Sequence, residues 1–241
     1  MNEVAIATYL AAFGRTAAFF LSAPVVGGPI MPAKVRIGAA AALALAVASV
    51  RPEVDPTYLP IVLPPDILLG LAAGFSLRLI FAGAESGGQI IGMQLGLGMA
   101  AFFDPASGEQ AIVTRRFALV FAGLAFLTMG GLREAVRMLA VTPSDARTLL
   151  GATAQLLDQG NHVLAAALRF AAPAMLAGMM TNVGMAFASK AAPSLNIFSV
   201  MLSALLIVGG FTLIVTAPSF MMEITGTARM AIDSLHRLGG Q

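Results

Sequence analysis

Five polar side chains lie inside long apolar stretches of the sequence, where charge is hard to accommodate. They are Arg15, Arg78, Glu85, Gln89 and Arg169. Ionisable residues in such positions usually face the interior of a helix bundle or a water-filled cavity. On a helix, Arg78 and Glu85 would lie two turns apart on one face, with Gln89 one turn further on. The pattern is compatible with a pathway for protons or ions. It favours a structural ion pair or the wall of a water-filled cavity, because a single buried acid is too little for a proton relay.

The remaining reactive residues form no recognisable catalytic or metal-binding pattern. The chain has no cysteine, and we find no acidic companions at metal-ligand spacing around its two histidines, His162 and His236. The segment 96–101 fits the glycine pattern of dinucleotide-binding proteins, but it lies within an apolar helical block with no strand before it. The net charge of +2 is small and scattered, which does not favour nucleic acid. We expect no enzyme activity, no metal ion, no cofactor and no nucleic-acid partner.

The composition indicates what kind of structure must position these residues. Of the 241 residues, 58% are hydrophobic and 11% are charged, whereas a soluble domain carries about 25% charged residues. Such a chain belongs in a bilayer. The apolar blocks cover residues 4–26, 37–50, 67–103, 117–132, 163–188 and 197–222. We predict an all-α integral membrane protein of about six hydrophobic helical segments packed as helical hairpins, in which the block 67–103 is either a hairpin or one overlong helix.

Lysine and arginine normally reveal the orientation of a membrane protein, because they concentrate in its cytoplasmic loops. With six spans, the side of the N-terminus holds Arg51, Arg133, Arg137, Arg147, Arg229 and Arg237, and the opposite side holds Lys34, Arg36, Arg115, Arg116 and Lys190. The two sides are almost equally basic, so this rule assigns no orientation. An unconventional topology is therefore open.

Small residues recur at every fourth position in the third apolar block. They are Ala84, Gly88, Gly92, Gly96 and Ala100. On a helix they form a ridge without large side chains, along which another helix can approach closely. We expect a dense helix contact here, and its partner is a helix of the same chain or of another subunit.

Two further segments are amphipathic rather than uniformly apolar. A helix-start signal at 142–145 precedes leucines that share one helix face, at 149, 150, 156 and 157. The tail carries a stripe formed by Ile224, Ala228, Ala231, Ile232, Leu235 and Leu238. We expect both segments to lie along an interface or a partner.

Several local patterns follow one another in the order and spacing of a known family. They are Arg15, 23–24, 27–28, 32–36, 69–75, Glu85, 87–89, 94–96, 103–108, 192–198 and 209–210. On these residues the chain resembles the FliR family of flagellar export proteins, whose counterparts in virulence secretion systems are the SctT/SpaR proteins. It departs from the family pattern at Leu132, Lys190 and Ser194, where a polar residue, Arg and Gln are more usual.

The resemblance implies a core subunit of the flagellar type III protein export gate, located in the bacterial inner (plasma) membrane at the flagellar basal body. The implied partners are FliP-like and FliQ-like gate subunits, an FlhB-like protein at the entrance and an FlhA-like export component. Exported unfolded proteins and membrane lipid are its other contacts. Subunits of this family need not cross the bilayer conventionally, which agrees with the even distribution of basic residues.

The resemblance also divides the chain in two. Residues 1–160 are expected to form a FliP-like helical region with the small-residue ridge, and residues 161–241 a FliQ-like helical hairpin with an amphipathic tail. In such proteins the stretch after the ridge projects into the channel and helps to close it. The implied plug consists of Asp104, Pro105, Ala106, Ser107, Gly108, Glu109 and Gln110, a short polar loop without large apolar anchors.

The main alternative is an independent secondary transporter that uses the intramembrane residues Arg78, Glu85 and Arg169. The sequence shows no inverted repeat of the kind that many transporters have. A membrane-embedded transferase is a weaker alternative. Such an enzyme would need a metal-binding acidic motif, and the acidic residues of this sequence form no such cluster. For the chain without its partners, we expect Arg15, Arg78 and Arg169 to face lipid unpaired and to make it unstable.

Overall fold

A computed structural model describes residues 3–24, 32–95, 113–191 and 197–239 of the chain. These residues form helices and turns and contain no strand, which confirms the predicted all-α class. The helices are α1 (Glu3–Ser22), α2 (Ala33–Ala48), α3 (Leu59–Gln94), α4 (Val113–Thr128), α5 (Gly131–Val141), α6 (Ala146–Ala191) and α7 (Ile197–Leu238). A short 3-10 turn at Pro56–Tyr58 leads into α3.

Four helical stretches are long and apolar enough to cross a membrane: Glu3–Ser22, Pro56–Gln94, Ala146–Ala191 and Ser203–Leu238. A fifth span results if α4 and α5 are taken together, although the two are bent by 67°. This pattern confirms the prediction of an integral membrane protein. Over its described part, the block 67–103 is one continuous helix rather than a hairpin, since α3 runs unbroken to Gln94.

The bend between α4 and α5 has a backbone cause. Gly130 lies between the two helices with a φ of 84°, and it is the only described residue with positive φ. This left-handed conformation is accessible to glycine because it lacks a Cβ atom. The hydrogen bond from the Gly130 N–H to the Leu127 carbonyl, at 3.1 Å, closes the last turn of α4.

The described chain divides into two compact units. Unit 1 comprises Met1–Phe81, Gly123–Val163 and Thr227–Gln241, and unit 2 comprises Ala82–Ala122 and Leu164–Gly226. These units are defined by contacts within the chain. The predicted division at residue 160 is based instead on resemblance to FliP-like and FliQ-like proteins, and the two divisions cannot be compared directly. The division at residue 160 therefore stays a prediction.

In unit 1, α1 packs closely against both α2 and α3. A Cβ atom at Gly70 of α3 would overlap the carbonyl oxygen of Arg15, so the two backbones approach as closely as a glycine allows. Phe81 and Phe126 add a buried edge-to-face pair, with ring centroids 5.7 Å apart.

The C-terminal part of α7 also belongs to the core of unit 1. Ala228, Ala231, Leu235 and Leu238 of the predicted tail stripe are buried there. Ile232 is half-buried, and Ile224 is buried in unit 2. The predicted apolar stripe therefore faces a protein interior.

In unit 2, the helices leave most of their apolar surface uncovered. Only 6% of the most apolar stretch of α7 is buried within the chain. Its large exposed side chains include Ile207, Phe211, Ile214 and Met222. Such a surface requires lipid or another protein around it.

Candidate functional site

The best-defined polar site of the protein is a buried cluster in unit 1. Arg15 projects from the middle of α1, Asp66 lies near the beginning of α3, and Arg51 lies in the segment between α2 and α3. Ser144 comes from the link between α5 and α6. Arg15 is 3% exposed and Asp66 is fully buried, so both charges depend on each other and on nearby dipoles for solvation.

Arg15 donates all of its described hydrogen bonds inside this cluster. Its Nε donates to Asp66 Oδ1 at 3.0 Å, and its Nη2 donates to the same oxygen and to the Ser144 hydroxyl. The Ser144 hydroxyl in turn donates to Asp66 Oδ1. The second guanidinium nitrogen, Nη1, donates to the carbonyl oxygens of Leu139 at 2.8 Å and Thr142 at 2.7 Å. One side chain therefore connects α1, α3, the end of α5 and the start of α6.

The contact with the two carbonyls also compensates for the C-terminus of α5. That helix ends at Val141 and has no basic residue in its last turn. Positive charge is favourable there, because the last carbonyl groups of a helix have no intrahelical partner and carry partial negative charge. Arg15 supplies this charge from α1.

Arg51 makes the cluster a triad of two cations and one anion. Its Nη2 lies 2.9 Å from Asp66 Oδ2, an ion-pair distance, but the two atoms do not have hydrogen-bond geometry. The cluster therefore has a formal charge of +1. Within a desolvated site, removal of the one carboxylate would leave two arginines without a counter-charge.

This geometry corrects one expectation. Arg15 does not face lipid unpaired, because its guanidinium group forms an ion pair with Asp66 and a hydrogen bond with Ser144 of the same chain. Sequence reasoning singled out Arg15 but missed Asp66, Arg51 and Ser144. One signal was available: Asp66 is the only acid between Asp55 and Glu85, and it directly borders an apolar block.

The other intramembrane acid, Glu85, forms an ion pair within unit 2. Arg115 of α4 reaches its Oε1 with Nε at 2.6 Å and Nη2 at 2.5 Å. The side chains are 41% and 27% exposed for Arg115 and Glu85, so the pair is only partly shielded from its surroundings. Gln89 is half-buried one turn further along α3. Arg78 is exposed in unit 1 and has no hydrogen bond or ion pair with any described residue.

The small-residue ridge makes a close helix contact inside unit 2. Its described members Ala84, Gly88 and Gly92 are buried. A Cβ atom at Gly88 would lie 2.7 Å from the Thr114 carbonyl oxygen and 2.8 Å from Ala118 Cβ, so this position meets α4 of the same chain. Gly96 and Ala100 lie outside the described residues, and a contact of the ridge with another subunit stays a proposal.

Arg169 lines a small cavity of about 80 Å³ in unit 2. The polar groups around it are Thr216, Ser219 and Glu223 of α7, together with apolar walls that include Phe170. The cavity is large enough for a few water molecules. Its size and composition fit the wall of a hydrated cavity better than a site for an organic substrate.

The two histidines have acidic neighbours after all. His162 Nε2 lies 3.5 Å from Asp158 Oδ1 one turn away, and His236 Nε2 lies 2.9 Å from Glu134 Oε2. The spacing i, i+4 made the first pair predictable. Among the described residues, no group of three or more His, Cys, Asp or Glu is placed to hold a metal ion.

The implied plug, Asp104 to Gln110, lies outside the described residues. Near it in sequence, α3 ends at Gln94 and α4 begins at Val113.

Known proteins with similar sequences place the chain in a family. Residues 6–230 match the family described as "Bacterial export proteins, family 1". Flagellar biosynthetic protein FliR of Pectobacterium carotovorum is 31% identical over 210 residues, which cover 83% of this chain and 80% of the relative. FliR of Escherichia coli K12 is 30% identical over 208 residues, or 81% of this chain and 78% of the relative.

A virulence protein is similar as well. Yop proteins translocation protein T of Yersinia pestis is 28% identical over 196 residues, covering 77% of this chain and 74% of the relative. The expected resemblance is thereby confirmed. The chain belongs to the bacterial export proteins of family 1, the FliR/SctT family.

Proposed function

We propose that the chain is a core subunit of the flagellar type III protein export gate in the bacterial inner membrane. In this role it helps to form the channel through which unfolded flagellar proteins pass during assembly of the flagellum. The observation that carries the proposal is the family match over residues 6–230. FliR proteins at 30–31% identity favour the flagellar form of the apparatus.

The length and exposure of the helices support a role inside a larger assembly. α6 has 46 residues, so it is about 69 Å long at 1.5 Å per residue. This is more than twice the hydrocarbon thickness of a bilayer, about 30 Å. In unit 2, α6 exposes Leu176, Met180, Val183 and Phe187. A bilayer cannot contain the whole of such a helix, and its exposed apolar side chains favour protein partners beside it.

The partners follow from the family. We propose FliP-like and FliQ-like subunits along the exposed apolar helices, an FlhB-like protein at the entrance and an FlhA-like export component. Within the chain, residues 1–160 are the FliP-like part and residues 161–241 the FliQ-like part. The segment Asp104 to Gln110 acts as a plug that a passing polypeptide displaces. The chain itself catalyses no reaction.

Deletion of the gene with complementation tests the proposal. We expect loss of motility and of flagellar filaments, restored by the intact chain, and a hetero-oligomer of fixed composition when the chain is extracted in mild detergent. Normal motility in the deletion strain, or a homodimer that transports a small solute, would overturn it. The second outcome is the one expected of a secondary transporter.

A further inference from the structure

α5 carries two exposed arginines that no described residue neutralises. Arg133 and Arg137 lie one turn apart on the same face. Among the described residues neither has a hydrogen bond or an ion pair. The one acid of α5, Glu134, is 2.9 Å from His236 Nε2. Two like charges at this spacing destabilise an isolated helix slightly, so the face favours an external anion.

The surface around the two arginines is apolar rather than polar. Leu132 and Val141 of α5 are 45% and 63% exposed, and Met129 just before the helix is also exposed. Val136 and Ala140, which share the exposed face, are half-buried. Arginines interleaved with exposed aliphatic side chains are typical of helices at a membrane interface, where the aliphatic part of the arginine stays in the apolar layer and its charge reaches the headgroups.

The rest of α5 is anchored to the protein, which fixes the orientation of this face. Ala135, Met138 and Leu139 are buried in unit 1, and Arg15 holds the carbonyl of Leu139. The preceding apolar helix α4 meets α5 at 67°. Because the apolar side of α5 is buried in the protein, the exposed side with the two arginines is the one that meets the surroundings after the chain bends away from the apolar helix α4.

From these observations we infer that α5 is an interfacial helix and that Arg133 and Arg137 bind the phosphate groups of anionic phospholipids. Guanidinium groups are suited to phosphate because they donate two parallel hydrogen bonds. The exposed Val141, one turn beyond Arg137 on the same face, and the half-buried Val136 and Ala140 would contact the beginning of the acyl chains. A soluble phosphate ion would use the arginines but gain nothing from these apolar neighbours, and this difference favours a lipid.

The chain is well suited to a direct test, because it contains no tryptophan. The variant Leu132→Trp places one fluorophore at an exposed position directly beside Arg133. The full-length chain is purified in mild detergent and titrated with phosphatidylglycerol or phosphatidylcholine that carries brominated acyl chains, which quench a nearby tryptophan. We expect half-maximal quenching at a mole fraction of phosphatidylglycerol about 25-fold lower than that of phosphatidylcholine. Each arginine contributes about fivefold to this preference.

Charge variants in the Leu132→Trp background separate the arginines from general membrane affinity. Arg133→Gln with Arg137→Gln is expected to abolish the preference for phosphatidylglycerol, and Arg133→Lys with Arg137→Lys to retain part of it. A matched control replaces two exposed arginines of α7, Arg229→Gln with Arg237→Gln, and is expected to leave the preference unchanged. Circular dichroism and size-exclusion chromatography verify that each variant is folded.

Three results would overturn the inference. The first is equal quenching by both lipids in the parent variant, and the second is an equal loss of preference in the α7 control. The third is competition by inorganic phosphate at matched ionic strength, which would identify a site for free phosphate instead of lipid. A second reporter, Ile207→Trp on the apolar part of α7, is expected to be quenched equally by both lipids.

Discussion

Units 1 and 2 differ in how their side chains are buried within the chain. The buried polar residues of the described chain all belong to unit 1: Thr8, Arg15, Thr16, Asp66, Ser76, Thr142 and Ser234. Unit 2 buries few large side chains and exposes many. Half of the most apolar stretch of α1, in unit 1, is buried within the chain, compared with 6% for that of α7.

Side-chain hydrogen bonds hold the helices of unit 1 together. The Thr16 hydroxyl of α1 donates to the Ala40 carbonyl of α2 at 3.0 Å, and the Ser76 hydroxyl of α3 lies 2.9 Å from Gln159 Oε1 of α6. Such bonds matter where helices cannot rely on the hydrophobic effect to associate. The comparison indicates that buried polar contacts hold unit 1 together, whereas unit 2 depends more on its surroundings for cover.

The largest expected effect comes from removal of the one buried carboxylate in the triad. Asp66→Ala leaves Arg15 and Arg51 buried without a counter-charge, and breaking a buried pair in this way costs about 3–5 kcal/mol. We expect a large loss of resistance to heat and protease in detergent. The matched control Asp158→Ala removes an exposed acid of unit 1 and is expected to have little effect.

A double variant sharpens this test. Arg15→Leu with Asp66→Leu leaves only Arg51 without a counter-charge, whereas Asp66→Leu alone leaves both arginines without one, so the double variant is expected to be less destabilised than Asp66→Leu. Additive losses would show that the two residues act separately, and would contradict the account of unit 1.

Glycine substitutions in unit 2 distinguish contacts within the chain from contacts with partners. Gly88→Leu forces a side chain against the Thr114 carbonyl, and overpacking of this kind costs about 1–3 kcal/mol. A Cβ atom at Gly184 would have no described atom within 4 Å, so we expect room for a leucine there. We expect Gly88→Leu to lower the stability of the isolated chain, and Gly184→Leu to leave it unchanged while reducing recovery of the assembled gate. Equal behaviour of the two variants in both measurements would refute the distinction.

Deletion of residues 106–110 examines the proposed plug. We expect the gate to assemble and yet to admit small ions or a dye into resting cells, because a short polar segment contributes to closure rather than to packing. Wild-type conductance in an assembled gate that lacks residues 106–110 would contradict a role of this segment in closing the channel.

The smallest expected effect concerns an exposed cap. Asp145 Oδ1 accepts a hydrogen bond from the Thr148 N–H at 2.8 Å at the start of α6, and this bond lowers the pKa of Asp145 below its ordinary value. The carboxylate therefore stabilises the folded state above the ordinary pKa of an aspartate, and the stabilisation is lost as the pH falls through the lowered value. Asp145→Ala should lower the melting temperature slightly at pH 7, and the difference should vanish in strong acid.

The helical membrane class and the family could be predicted from the sequence, which also singled out Arg15, because apolar blocks and local motifs are properties of neighbouring residues. It did not reveal that Asp66 and Ser144 complete the site. These residues lie 51 and 129 positions from Arg15, and only the packing of α1 against α3 and the α5–α6 link brings them together. Glu85 is a similar case: its nearest basic residue on the same helix face is Arg78, yet its ion-pair partner is Arg115 of α4.

The most direct test of the account is site-specific photo-crosslinking from the exposed face of unit 2. A benzoylphenylalanine at Ile207 or Ile214 of α7 is introduced into the full-length chain in cells that contain the complete export apparatus. The account predicts adducts with other gate subunits, and their disappearance in a strain that lacks those subunits. The absence of protein adducts at both positions, in cells that are motile, would show that lipid alone covers unit 2 and would contradict the central claim.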